Sequence, residues 1–322
     1  MYKCVLLNLN LCFRFMAEMR PVLKDAYHVG LAIGMVLLIL GLFTWSGIVT
    51  CRDIPGWCDV YYTIKGPPKT LIVFGDAGLG NPDELARLLR DPRFTAATNI
   101  SRQEVDFVSA GNLKQFDLVI VTHARQMSTD KIRAFMEYAD SGGRLVWTGD
   151  AGTELTTDDD FLYADDVDEN ATHTLISPWA RKDVEDGIAV RFDQYLSTEY
   201  KGNYCDFRDC TIFTSAQQIG ELVPESGADH RLVYGIASNL KLYGDFAIVG
   251  DIGIGSTRVL SVDTSTTLRD KENNELGRVF PIIVSSGVGE KIVYYAVPPE
   301  LLAQPPMEYQ QFLVNLYNGM LR

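Results

Sequence analysis

The stretch from Gln115 to Glu154, QFDLVIVTHARQMSTDKIRAFMEYADSGGRLVWTGDAGTE, constrains this chain more than any other. Phe116 to Thr122 is short, nearly all apolar and rich in β-branched residues, which predicts a strand covered on both faces. His123 to Met127 reads as a polar loop. Ser128 stands at an N-cap position, and Asp130 adds an acid to the first helical turn. Ile132, Phe135, Met136 and Ala139 then recur at i, i+3, i+4 and i+7, one apolar helical face. Gly142-Gly143 supplies the left-handed residue that ends a helix. Leu145 to Thr148 is the next strand, and it breaks into Gly149-Asp150-Ala151-Gly152. A strand–helix–strand unit with a right-handed crossover places its two strands in a parallel sheet. Such sheets bind ligands beyond the C-terminal ends of their strands. Here those ends carry His123 and Asp150.

The same logic extends in both directions. Thr70 to Phe74 is a first strand that opens into Gly75-Asp76-Ala77-Gly78-Leu79-Gly80. The tetrapeptide Gly-Asp-Ala-Gly thus follows two strands, which places Asp76 beside Asp150 as a strand-end acid. Asn81-Pro82-Asp83-Glu84 has the cap, the N1 proline and the acidic first turn of a helix start. Those two acids argue against a phosphate-cradling loop, since a phosphate needs that helix N-terminus, and no Lys or Arg follows the glycines closely. Glu104 to Val108 is expected as a short second strand. Further strands are expected at 232–236, 246–249, 258–262, 281–285 and 291–296, with a hairpin at Ser286 to Glu290. Glu308 to Leu321 closes the chain as a helix with Phe312, Leu313, Leu316, Tyr317 and Met320 on one face. The expected fold is α/β, a flavodoxin-like, mostly parallel sheet with helices on both faces.

Val29 to Val49 carries no charge. At ~1.5 Å per residue it reaches about 31 Å, the thickness of a bilayer core. No polar stripe marks it as a soluble core helix, and it is too long for a signal peptide and lacks an A-x-A site. Thr50 before Cys51 fits a lipoprotein signal poorly. Lys3, Arg14, Arg20 and Lys24 precede the span, which favours a cytoplasmic N-terminus and an external C-terminal domain at the cell membrane. Met16 or Met19 would make a more usual start for so short a tail, and the intact mass of the native protein checks this. The resulting organisation is a tail (1–28), a transmembrane helix (29–50), a Gly/Pro-containing stalk (51–69) and an α/β domain (70–322) with an insertion near 155–230.

A formal net charge of −13 argues against nucleic acid as a partner. Cys51 with Cys58, and Cys205 with Cys210, form two close pairs that suit local disulfides in an external domain, worth roughly 2 kcal/mol each. Neither pair has the C-x-x-C spacing or histidine of a zinc site. Asn99-Ile-Ser and Asn170-Ala-Thr match the glycosylation sequon. Thr156 to Asn170 is acidic and polar without a helical or strand period. A solvated surface loop is the favoured reading over a divalent-metal site, because the EF-hand pattern is absent.

FDLVIVTHA, a helix ending YADSGG, RLVWTGDAG, and PIIVSSGVGEKIVYYAVPPELL before a terminal helix resemble the class I glutamine amidotransferase-like fold, especially its trehalose-utilisation-like relatives. The resemblance covers roughly residues 70–322, with 155–230 unmatched. It implies a nucleophile elbow, G-x-C-x-G, at Gly149 to Gly152, but Asp150 stands in the cysteine's place. It also implies a late His-x-Glu pair, yet His173 and His230 are not followed by that pattern. A carboxylate does not replace a thiolate in attack on an amide, so glutamine hydrolysis is not expected.

Two function classes remain. One is a non-catalytic binding or assembly module with a protein or glycan partner at the cell surface and no cofactor. The other is a hydrolase or carbohydrate-active enzyme using Asp150, His123, Asp76 and Glu154 as acid–base partners or metal ligands. The bland alternative for these side chains is local turn bonding. Convergence into one open cleft separates the two.

Overall fold

The computed structural model describes residues 25–321 except 45–48, 50–53, 96, 164, 168–172, 176, 184, 187, 211–217, 228, 238–239, 252–254 and 303–308. The chain forms two compact units, residues 1–64 and 65–322.

In the first unit, helix α1 (Asp25–Thr44) is long and apolar enough to cross a membrane. Its apolar side chains are exposed, from Val29 through Phe43. The expected continuation of the span through 45–48 lies outside the described residues. The stretch read as a stalk contains a helix, α2 (Trp57–Lys65). Its short pattern, Trp57, Val60, Tyr61 and Ile64, was masked by the neighbouring glycines and prolines.

The second unit is α/β, as expected. Its nine-stranded sheet runs β12 (Lys241–Tyr243), β11 (Gln218–Pro224), β14 (Thr257–Arg269), β15 (Glu275–Ser286), β16 (Ile292–Tyr295), β4 (Leu145–Thr148), β3 (Leu118–Val121), β1 (Thr70–Phe74), β2 (Ile100–Glu104). The parallel block consists of β1, β2, β3, β4 and β16. β1, β3, β4 and β16 bury nearly every residue, which explains their unbroken apolar runs. β11, β12, β14 and β15 extend the sheet antiparallel beyond β16. The hairpin expected at Ser286 to Glu290 joins β15 to β16.

α3 (Pro82–Arg90) starts as its sequence predicts, with the Asn81 side chain accepting from the backbone of Asp83 and Glu84. α4 (Ala110–Leu113) is a single turn. α5 (Thr129–Asp140) buries Ile132 and Phe135, while Met136 and Ala139 are only partly covered and Tyr138 is buried instead. The Ser128 side chain does not cap it. The carboxyl of Asp159 accepts the Thr129 N–H and hydroxyl in its place, at 2.6 and 2.9 Å.

Three expectations are corrected. The second strand lies at Ile100–Glu104, and Val105–Phe107 is a 3-10 turn. The pattern of β2 is an edge-strand alternation of half-buried polar residues, which an apolar search passes over. Leu232 to Ile236 is a turn, although Leu232 and Val233 are buried. Burial under α9 (Gln310–Leu321), not strand pairing, explains that apolar run, and Asn315 on α9 bonds the carbonyls of Leu232 and Tyr234. The acidic stretch from Thr156 is not a structureless loop. It contains β5 (Phe161–Tyr163) and β6 (Asp165–Val167), which pair with β8 (Ala180–Asp183) and β7 (His173–Leu175).

β9 (Ala189–Arg191), α6 (Phe192–Leu196), β10 (Thr198–Asn203) and α7 (Tyr204–Phe207) follow, with β10 paired to β13 (Ala247–Asp251), while β11, within the stretch 155–230 expected as an insertion, belongs to the main sheet. Cys205 and Cys210 form a disulfide. Cys51 and the Cys58 side chain lie outside the described residues, as does Asn170. Asn99 is half-buried just before β2. α8 (Pro299–Leu302) follows β16, and α9 buries the face named from the sequence.

Candidate functional site

Because β1, β3, β4 and β16 are parallel, their C-terminal ends open on one side. Four segments meet there: 75–80 after β1, 123–127 after β3, 149–154 after β4 and 296–300 after β16. Backbone bonds stitch three of them together. Gly75 donates to the His123 carbonyl, His123 to Leu79, Arg125 to Ala77, and Gly152 to Ala124, all at 2.8–2.9 Å.

Asp150 sits beneath this lattice with no exposed surface. One carboxyl oxygen accepts the Leu79 N–H at 2.7 Å. The other accepts Arg125 Nε at 2.7 Å, Arg125 Nη2 at 2.6 Å and the Asn203 amide at 3.1 Å. Burial pulls the Arg125 guanidinium down, but the charge and hydrogen bonds of Asp150 outweigh it, and the group titrates above its ordinary value. Glu154 is half-exposed, 3.8 Å from the same guanidinium. Arg125 thus stands between two acids, one sealed and one open.

The turn differs from a nucleophile elbow in two ways. An elbow puts the strained conformation on the nucleophile and leads into a helix. Here the positive φ falls on Gly149 and Gly152. The segment then continues into an isolated bridge between Glu154 and Gln126, not a helix. Gly149 is required by its fit as well, since a Cβ there would lie 2.9 Å from that of Leu79.

His123 does not approach Asp150 as a base. It holds a positive φ of 52°, and its Nδ1 donates to the Gly78 carbonyl at 2.7 Å. That bond places the proton on Nδ1, because a carbonyl only accepts. Asp76 is exposed in the loop, and its side chain makes no hydrogen bond among the described residues. The four sequence candidates therefore separate. Asp150 and Glu154 are linked through Arg125, His123 props the 75–80 loop, and Asp76 faces solvent. Among the described residues no group of three or more His, Cys, Asp and Glu is arranged to hold a metal ion.

Trp179 and Arg181 complete the seal. Trp179 and Trp147 both donate their indole N–H to the Ala151 carbonyl at 2.8 Å. Arg181 is fully buried and donates to the carbonyls of Met127 at 2.7 Å and Gly152 at 2.8 Å. Burial lowers its guanidinium to about 10, and nearby Asp159 opposes the shift. Tyr200 is pushed up by burial first and by the Asp150 charge second.

A second acid lies at the same strand ends. Glu300 is fully buried, and its Oε1 accepts the Asn81 N–H at 2.7 Å and the Thr122 hydroxyl at 2.8 Å. Burial raises it to about 7, against the pull of those bonds. Gly80 beside it has no room for a side chain: a Cβ would come within 2.7 Å of that oxygen. Sequence reasoning passed over Arg125, Arg181, Asn203 and Glu300. Only Arg125 had a usable signal, lying two residues past His123 in a strand-end loop.

A groove of about 500 Å³ lies elsewhere, between the C-terminus of α5 and the β15–β16 hairpin. Its Tyr195 donates to both carboxyl oxygens of Asp140 at 2.9 Å, and burial, then that acid, pushes the phenol up to about 12.

No protein-family model matches the sequence, and no curated protein does. A ThuA-like protein from Bacteroides uniformis is similar in structure, with a TM-score of 0.50 at 12% identity over 79% of this chain and 91% of that one. A ThuA-like protein from Parabacteroides merdae gives 0.44 at 14% identity over 78% and 89%. The β-galactosidase of Rahnella sp. R3 gives 0.46 at 13% identity over 84% of this chain and 34% of that one. The likeness to the Bacteroides protein is one of fold, the class I glutamine amidotransferase-like fold to which ThuA-like proteins belong.

Proposed function

We propose that this chain is a membrane-anchored binding or assembly module whose external α/β domain keeps an amidotransferase-like fold without its chemistry. One observation carries the reading. The side chain in the nucleophile's place, Asp150, is sealed from solvent and committed to Leu79, Arg125 and Asn203. A nucleophile or general base must reach a reacting atom, and this one reaches only its own scaffold. The absence of a His-x-Glu pair from the sequence adds support. The anchor is α1, and its flanking charges favour a cytoplasmic N-terminus. Its partners are then proteins or glycans at the cell surface.

The test is the thermal stability of the full chain in detergent with Asp150→Asn. A scaffold acid predicts a clear loss, because the Arg125 pair is broken and Asn cannot serve every donor. An unchanged or raised melting temperature would mark Asp150 as a group kept for chemistry at a cost to stability. That result would sink the module reading and restore the hydrolase alternative.

A further inference from the structure

We infer that α2 is a membrane-surface helix, lying in the lipid headgroup region beside the outer end of α1. This rests on the reading of α1 as a span. Trp57, Val60, Tyr61 and Ile64 recur at i, i+3, i+4 and i+7 and form one face of α2. Two of its apolar residues are left uncovered by the protein: Val60 is 43% and Ile64 82% exposed. The first turn of the helix is fixed to the end of α1. The Trp57 indole donates to the Thr44 hydroxyl at 2.8 Å, and Thr44 donates to the Leu40 carbonyl at 2.8 Å.

That bond selects the occupant. Thr44 ends an apolar helix of 20 residues. At ~1.5 Å per residue Thr44 lies about 8 Å inside the end of the uncharged run at Val49, the depth to which interfacial helices bury their apolar faces. Anything tied to Thr44 sits at that depth. The residues placed there suit the boundary, since Trp and Tyr combine an apolar ring with a polar tip. Trp57 meets Tyr61, and Tyr61 meets Tyr62, at ring separations of 6.5 and 5.4 Å. Exposed Val60 and Ile64 would then bury their side chains among acyl chains just below the surface, as interfacial helices do. A second protein is the rival occupant, but a face held at headgroup depth meets lipid first.

The experiment uses the full chain in phosphatidylcholine–phosphatidylglycerol liposomes. The photoreactive residue p-benzoylphenylalanine is placed singly at Leu38, Tyr62, Val60 and Ile64, and adducts are read by mass spectrometry. Leu38 tests the span itself. Lipid adducts at Leu38, Val60 and Ile64, several-fold above those at Tyr62 on the opposite face, are the expected result. Lipid at Leu38 with none at Val60 and Ile64 overturns the inference and leaves the span standing. Crosslinks from Ile64 to another polypeptide overturn it in favour of a protein partner. No lipid at Leu38 removes the span reading and the inference with it.

Discussion

The turn after β4 and the segment after β16 each bury one carboxyl group at the same end of the sheet, by opposite means. Asp150 is buried beside a guanidinium, with a backbone N–H and an amide completing its shell. Glu300 is buried as deeply beside neutral donors, the Asn81 N–H and the Thr122 hydroxyl. The consequence shows in Glu300, which holds its proton to about 7 because burial penalises the charge. Burial beside a cation and burial beside neutral donors are two ways to keep a carboxyl inside a fold; the first leaves a charge pair that can be broken, and the second leaves Glu300, whose contribution depends on pH.

Removing the cation should break the first site. Arg125→Leu leaves Asp150 buried without its partner and is expected to cost about 3 kcal/mol at pH 8, the low end for breaking a buried pair because Arg125 is itself about one-third exposed. Urea denaturation of both forms at that pH checks this. An equal loss in Arg125→Leu and Arg125→Lys would show that the guanidinium matters for its shape and packing and not its charge.

Glu300→Gln tests the other side. The folded value, about 7, lies above the ordinary glutamate value of 4.5, so the native state holds the extra proton between them. Stability therefore falls as pH rises through that window and levels off above about 7. Glutamine removes the charge and keeps an accepting oxygen. The variant should match the wild type near pH 4 and exceed it by about 2 kcal/mol at pH 8. Equal melting temperatures at pH 8 would mean that Glu300 is compensated as well as Asp150, and the contrast would fail.

The smallest expected effect is that of Thr122→Val, which deletes one of the two bonds to Glu300 Oε1. It should cost about 1 kcal/mol. The loss should be greater at pH 8 than at pH 5, since the hydroxyl favours the charged carboxyl. A pH-independent loss would assign Thr122 to packing alone.

The elements legible in the sequence are those whose local signals agree. β1 and β4 lie where their apolar runs place them, and α3 has its cap, its proline and its acids in register. The misses share a cause. Leu232 and Val233 are apolar because α9 covers them, and β2 is half polar because it is a sheet edge. Both patterns report contacts with distant segments, which a local window does not contain. The candidate site follows the same rule. Asp150 and His123 could be placed at strand ends from the chain alone, because strand direction determines where the ends point. Arg181 and Asn203 come from a stretch that has no repeat or motif, and their partners lie 29 and 53 residues away.

The sequence by itself determined that an apolar segment of membrane length precedes an α/β domain, and that Asp150 stands between Gly149 and Ala151 at the end of β4. Composition, periodicity and residue identity carry those facts without any folding. The tertiary structure decided what the strand-end acids became. Whether a carboxyl faces solvent, becomes a paired strut or sits among neutral donors depends on solvent access and on which groups lie within hydrogen-bond reach. Asp76, Asp150 and Glu300 take these three different fates at one end of one sheet, because the chain brings a different set of neighbours to each.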